Sequence, residues 1–173
     1  MYRIHFSYRQ CLLLVLLSGC FLQAKSQQLG LAISTSSPAL RVQVRQELQF
    51  GAFTQGTAGG TVEILPEGSR MATGTVVPLN FSANVTSLIL EVEGPKGAIV
   101  SMLAGEVSVL TGSNGGIMKL RLKQSHPLMP FIIMEEAPAR TIINIGAELI
   151  VGNLQESPPG NYSGSLNISF IVE

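Results

Sequence analysis

The segment YSGSLNISFIV, residues 162–172, decides the fold class because polar and apolar residues alternate along it. Successive side chains of a β-strand point to opposite faces, so this spacing gives an extended chain one apolar face and one polar face. The apolar positions are Tyr162, Gly164, Leu166, Ile168, Phe170 and Val172, with serines and Asn167 between them. We therefore predict one long terminal strand from Tyr162 to Val172.

The same two-residue period continues towards the N-terminus. Leu29, Leu31 and Ile33 share one parity, and Leu40, Val42 and Val44 share one parity in the next stretch. Further strands are predicted at Thr61–Leu65, Thr75–Asn80, Leu88–Glu93, Ala98–Leu103, Glu106–Thr111, Ile117–Lys123 and Thr141–Val151. No stretch repeats the apolar spacing of a helix over three turns. The pattern predicts an all-β, immunoglobulin-like antiparallel β-sandwich.

Glycine and proline mark the connections between these strands. Gly94–Gly97 and Gly112–Gly116 are rich in residues that accept positive φ, which predicts hairpin tips. Ser125–Pro130 and Ala137–Arg140 carry prolines, which cannot donate to a central ladder, and so predict Greek-key crossovers or sheet edges. Gly56–Gly60 lacks the Lys-Ser/Thr pair and the helix of a phosphate-binding loop, so we interpret it as a flexible loop before a strand.

The first 26 residues have the pattern of an export signal. Arg3 and Arg9 precede an apolar run, Cys11–Leu22, that is short for a membrane-spanning helix. The small residues Ala24 and Ser26 predict cleavage before Gln27. Residues 1–26 are therefore predicted as a cleaved signal peptide and residues 27–173 as one sandwich domain.

Two alternatives for the N-terminus stay open. Leu17–Cys20 resembles a bacterial lipobox, in which Cys20 becomes the acylated first residue and holds the protein on the membrane. If neither cleavage takes place, the apolar run is a membrane tether.

Charge and cysteine content exclude several classes of function. Beyond residue 26 the chain has 8 basic and 11 acidic side chains, hence a net charge of −3, which argues against nucleic acid as a partner. Both cysteines, Cys11 and Cys20, precede the predicted cleavage, so the mature domain has no disulfide. Every acidic residue is Glu, which excludes Asp-rich calcium loops.

The sequence offers no catalytic or metal-binding set. His126, the only histidine after residue 26, has no Cys or Asp to complete a zinc site or a triad, so we interpret it as a loop residue facing water. Glu135 and Glu136 are adjacent and cannot flank a glycosidic bond together, so we interpret them as solvated charges. Gly160–Gly164 lacks the spacing of a nucleophile elbow and indicates a turn. We predict no enzymatic activity, no cofactor and no metal.

Two ordered groups of motifs resemble a known family. The first group is LQFGAF at 48–53, GGTVEI at 59–64, PEGSR at 66–70 and TG at 73–74. The second group is NIGAEL at 144–149, VG at 151–152 and PGNYSG at 159–164. Together they resemble the bacterial secreted family called domain of unknown function 4402, from Leu40 to Val172. That family more distantly resembles spore-coat-U-type and chaperone-usher pilin domains, which are secreted sandwiches built into surface fibres.

The pilin resemblance implies a mode of assembly. Gly160 is fourteenth from the chain end, as in pilins, although Val172 stands where pilins have a penultimate tyrosine. By this resemblance residues 27–38 are an N-terminal extension whose Leu29, Leu31 and Ile33 fill a groove in a neighbouring subunit. The implied partners are other copies or related subunits, added by β-strand addition, and a periplasmic chaperone.

Two functions follow from these observations. The first is a secreted or surface-attached structural or adhesive subunit, in the periplasm or on the outer surface of a Gram-negative bacterium. The alternative is a self-contained extracellular module that binds a glycan or a protein through its loops. An exposed apolar patch of Met129, Phe131 and Met134 is the feature expected of that module.

Overall fold

Alternating apolar residues form two antiparallel sheets in the computed structural model, which describes residues 40–80, 84–104 and 107–173. Its strands are β1 (Arg41–Gln46), β2 (Phe53–Ile64), β3 (Arg70–Pro78), β4 (Leu88–Glu93), β5 (Ile99–Ala104), β6 (Ser108–Gly112), β7 (Ile117–His126), β8 (Phe131–Ile132), β9 (Thr141–Val151), β10 (Tyr162–Ser163) and β11 (Ile168–Val172). These ranges contain no helix, and hence no helical candidate for a membrane span. The predicted signal peptide, Cys20 and the predicted donor segment 27–38 lie outside the described residues.

The larger sheet is organised around β9. One edge of β9 pairs with β7, and its other edge pairs first with β4 and then with β2. β1 lies beyond β4, β3 lies beyond β2, and β6 followed by β10 lies beyond β7. The neighbours β4, β9 and β7 are not consecutive in the chain, in keeping with the crossovers predicted for a Greek-key sandwich.

The smaller sheet, in the order β11, β5 and β8, covers only one half of the larger sheet. There the small sheet's inward side chains, such as Val100 and Phe131, pack against Val92 and Ile143 of the large sheet. This is the second core cluster. The first core cluster lies on the other half, where Val62 and its neighbours pack beneath loops. The two packed antiparallel sheets confirm the predicted all-β sandwich class.

The single terminal strand predicted from the sequence is wrong, because residues 162–172 form two strands. β10 pairs with β6 in the large sheet, and β11 pairs with β5 in the small sheet. Between them the chain crosses from one sheet to the other, and Leu166 packs against both core clusters. A Cβ atom at Gly164 would lie 2.6 Å from Leu110 Cδ2, so glycine allows the close approach at which the chain leaves β6.

The prediction of a flexible loop at Gly56–Gly60 is also wrong, because these residues belong to β2. The pairing of β2 with β3 shifts register between Gln55 and Gly60. A side chain at Gly60 would collide with the carbonyl oxygen of Thr73 on β3. The glycines therefore mark an irregular, bulged stretch at which neighbouring backbones approach closely.

The turns follow the prediction in part. Gly112–Gly116 joins β6 to β7 as the predicted hairpin tip. Gly94–Gly97 is not a hairpin tip, because it joins β4 of the large sheet to β5 of the small sheet. Pro127–Pro130 and Ala137–Arg140 lie on the crossings from β7 to β8 and from β8 to β9, as predicted, whereas Ser125 and His126 still belong to β7.

The apolar face of β1 is uncovered. Val42 and Val44 stand opposite Val92 and Leu90, so they lie on the inner face of the large sheet, as their shared parity predicts. The Val44 side chain is nevertheless 63% exposed, whereas Leu90 is 2% exposed. Within the described ranges, the inner face at β1 therefore has apolar side chains and no strand above them.

Candidate functional site

An apolar groove of about 1130 Å³ opens on the half of the large sheet that the small sheet leaves uncovered. Its floor consists of inward side chains from three adjacent strands, namely Leu110, Met118, Leu120 and Leu149. Leu88 and Leu166 close one end, where the groove meets the second core cluster. Glu47 is the single charged side chain among the described residues that line it.

Residues 47–55, called the first wall, form one side of the groove. Gln49 and Thr86 exchange two backbone hydrogen bonds, with N···O distances of 3.0 and 2.9 Å. The Thr86 hydroxyl donates to the carbonyl oxygen of Glu47 at 2.7 Å. These three bonds attach the start of the first wall to the segment just before β4.

Arg70, the first residue of β3, holds the rest of the first wall. Its guanidinium donates to the carbonyl oxygens of Phe50 at 2.9 Å and Ala52 at 3.1 Å. It also donates to the Leu79 carbonyl oxygen at 2.9 Å and to Asn80 Oδ1 at 3.1 Å. A Cβ atom at Gly51, whose φ is +71°, would lie 2.8 Å from the guanidinium, so this glycine lets Arg70 reach its acceptors.

Residues 153–164, called the second wall, form the opposite side. The buried Ser157 hydroxyl donates to the Ile117 carbonyl oxygen at 2.6 Å and accepts from the Gly152 amide. Asn114 Nδ2 donates to the Pro159 carbonyl oxygen at 2.8 Å. The second wall is thereby bonded to the hairpin between β6 and β7.

Tyr162 stabilises the second wall and makes the stability of the folded chain depend on pH. Its hydroxyl donates to the Pro158 carbonyl oxygen at 2.6 Å. Burial raises the pKa of the Tyr162 phenol above its ordinary value of 10.0. The folded chain therefore keeps this proton at a pH where the unfolded chain has lost it. Stability from Tyr162 is complete below about pH 10 and declines as the pH rises through the raised pKa.

As the pH rises above about 10, we expect the Tyr162→Phe variant to lose less stability than the wild-type chain, because it has no phenol to deprotonate. Urea unfolding of both proteins at about pH 8 and about pH 11 measures this difference, because the two chains are otherwise identical. The wild-type chain should lose more free energy of unfolding over this interval than the variant. Equal losses would show that the phenol titrates alike in the folded and unfolded chains.

The groove suits an extended apolar occupant. Its floor has aliphatic and thioether side chains, which can pack against the apolar face of an added β-strand. Within the described part of the chain, no group of three or more His, Cys or acidic side chains is placed to hold a metal ion.

Comparison with known families identifies the chain. The family described as Domain of unknown function (DUF4402) matches residues 40–171. The chain belongs to the DUF4402 family. No curated protein and no solved structure matches it. The family resemblance predicted from the motifs is confirmed, and the more distant resemblance to spore-coat-U-type and chaperone-usher pilin domains stays a prediction.

The DUF4402 domain keeps the polar residues considered from the sequence apart from the groove. His126 is exposed as the last residue of β7, opposite Asn144 of β9, and not in a loop as predicted. Glu135 and Glu136 are exposed in the connection between β8 and β9, which confirms that they are solvated charges. None of the three lines the groove.

The exposed patch expected of a binding module is not formed in this DUF4402 domain. Phe131 is buried in the second core cluster, and Met129 packs against the same cluster. Met134 alone is strongly exposed, at 72%. Phe131 and Ile133 are buried, while Ile132 and Met134 are exposed, so the alternation of β8 continues past its end and leaves Met134 outside the core.

Sequence reasoning missed Arg70 and the second wall of the DUF4402 groove. Arg70 is the only basic residue between Arg45 and Lys96, and a lone cation in a β-rich stretch is a signal for a specific hydrogen-bonding role. The second wall carries no comparable signal, because its bonds to Asn114 and Ile117 join residues 40 or more positions apart.

Proposed function

We propose that this DUF4402 domain is a non-catalytic structural or adhesive subunit whose groove accepts a β-strand from another copy of the chain. The groove carries the proposal, because loops wall it on both sides along the half of the large sheet's inner face that the small sheet does not cover. The proposal includes export through residues 1–26, with cleavage before Gln27 or acylation of Cys20. The site of action is then the periplasm or the outer surface of a Gram-negative bacterium.

The predicted donor segment matches the groove in chemistry. As a strand, residues 27–38 put Leu29, Leu31 and Ile33 on one face, complementary to an aliphatic floor. No side chain of the segment is charged, and the described groove lining has one carboxylate. Burial of each Leu or Ile side chain contributes about 1.5–3 kcal/mol before the entropic cost of association.

An unfilled groove also gives a reason to propose a periplasmic chaperone as a partner. Apolar surface of this size promotes unspecific association while a chain waits for its donor. A periplasmic chaperone that covers the groove is therefore proposed as a transient partner.

Deletion of Gln27–Ser37 tests the proposal. We expect the mature chain, beginning at Gln27, to form oligomers whose size rises with concentration, and the deleted chain to stay a folded monomer. Light scattering after size-exclusion chromatography measures mass, and circular dichroism verifies the sheet. A triple variant, Leu29→Ser, Leu31→Ser and Ile33→Ser, keeps the chain length and should also be monomeric. Unchanged assembly of the deleted chain, or a monomeric mature chain, counts against the proposal.

The alternative of a self-contained binding module has weaker support, because Phe131, one of the three residues expected in its patch, is buried. A ligand that binds the deleted and mature chains equally well through the loops would favour that alternative. Hydrolytic activity that disappears on His126→Ala would overturn the non-catalytic role.

A further inference from the structure

We infer that the incoming strand enters between two open strand edges, β10 and the first half of β2, and bonds to both through its backbone. The inference rests on the function proposed above and deepens it by naming the docking edges. The occupant is residues 29–33 of a second copy.

The first open edge belongs to β2. Phe53–Gln55 pairs with β3 on one side, whereas β9 pairs with β2 only from Gly60 onward. The Ala52 carbonyl oxygen accepts a bond from the Leu79 amide at 2.9 Å, so Ala52 directs its peptide groups towards β3. The N–H and C=O groups of successive residues in a strand point alternately to its two sides. The N–H and C=O groups of Phe53 and Gln55 therefore point away from β3, and both residues line the groove.

The second open edge belongs to β10. Tyr162 and Ser163 pair with β6, and no other described strand pairs with them. The Asn161 carbonyl oxygen accepts from the Ser113 amide at 2.8 Å, so Asn161 faces β6. By the same alternation the peptide groups of Tyr162 face the open side. Tyr162 also lines the groove.

A strand laid across the floor between these edges can pair with each of them. Neighbouring strands lie about 4.7–4.9 Å apart, so one strand bonds to two edges only if both flank it. Such a strand joins β10 to β2 and removes two open edges from the large sheet. The terminal strand β11 contributes none of its residues Ile168–Val172 to the groove lining.

The course of β1 favours a second copy as the donor. Arg41 pairs with Glu93 and Gln46 pairs with Ile89, and the groove is lined from Val44 onward. Leu40 packs in the second core cluster, at the end of β1 that is remote from the groove. To fill its own groove, the segment has to reverse and run back along β1. A second copy's groove imposes no such reversal.

Hydrogen exchange of the mature chain tests the inference. In the assembled form the amides of Phe53, Gln55 and Tyr162 should exchange at least about tenfold more slowly than in the monomeric triple-serine variant. The amides of Thr54 and Ser163 face β3 and β6 and should change little. The inference is overturned if exchange of the first three amides stays fast on assembly, or if assembly instead slows exchange of the Phe170 and Val172 amides, which face away from β5. A mature chain that never assembles defeats both the inference and the proposed function, whereas assembly with unprotected amides defeats the inference alone.

A matched pair of variants gives a second readout. Gln55→Ala removes the side chain, whose Nε2 lies 3.4 Å from the Gly152 carbonyl oxygen, and keeps the backbone N–H. Gln55→Pro removes both. With folding verified by circular dichroism, Gln55→Pro should weaken assembly at least about tenfold more than Gln55→Ala, because only proline lacks the N–H that faces the incoming strand. Equal effects would contradict backbone pairing at this edge.

Discussion

The Ile143→Ala variant should lose about 4 kcal/mol of unfolding free energy, while Ile142→Ala, one residue earlier, should lose less than about 1 kcal/mol. Both residues are isoleucines of β9. Ile143 has no exposed surface and packs in the second core cluster, whereas Ile142 is 38% exposed on the outer face. Both substitutions remove the same atoms, so the difference between the two losses of unfolding free energy measures the cavity and the lost burial at the inner face.

Urea unfolding of the two variants at neutral pH gives both values. The pair also tests the inference on which the fold depends, namely that alternate residues of a strand face core and solvent. Losses of similar size would mean that the outer face of β9 is packed against something as closely as the inner face.

The Arg70→Met variant should lose about 3 kcal/mol, because it leaves three carbonyl oxygens and Asn80 Oδ1 without their charged donor. Methionine keeps much of the apolar stem, so the loss reports mainly on hydrogen bonding. The first wall should loosen as well, with faster hydrogen exchange at Gly51 and Ala52 than in the wild-type chain.

Arg45→Met is the matched control for Arg70→Met. The Arg45 guanidinium contacts Glu91 at 3.0 Å, and its side chain is 60% exposed. Exposed pairs of this kind contribute about 0–1 kcal/mol. If the two variants lose equal stability, the bonds of Arg70 to the first wall contribute no more than a surface ion pair.

Much of the fold can be predicted where apolar and polar residues alternate without interruption. The bounds of β4 and β9 agree with the predicted Leu88–Glu93 and Thr141–Val151. The prediction fails at glycines that serve close backbone contact. At Gly164 the chain leaves β6, which divides the predicted terminal strand in two. Gly60 lies against the backbone of β3, in a stretch of β2 that was predicted to be a loop. Alternation gives no information on such contacts.

The groove could not be predicted, for a different physical reason. The parity of Met118, Leu120 and Leu149 predicts an inner face but does not say what covers it. Whether this inner face is covered depends on how far the small sheet extends and on where the loops are held. The bonds of Arg70 and Ser157 that hold the two walls join residues distant in the chain, and no local pattern encodes them.

Donation of a strand from one copy to the groove of another can be tested by complementation between two defective chains. The triple-serine variant lacks the donor face but keeps the groove. Leu110→Lys keeps the donor and places a charge on the groove floor, with Thr111→Lys, at an exposed position of the same strand, as its control. Light scattering measures the mass of each folded variant alone and of the mixture. If strands are donated between copies, each defective variant alone is a monomer, Thr111→Lys forms oligomers, and the mixture forms a one-to-one complex. A mixture that stays monomeric, or a Leu110→Lys chain that assembles by itself, would contradict strand donation.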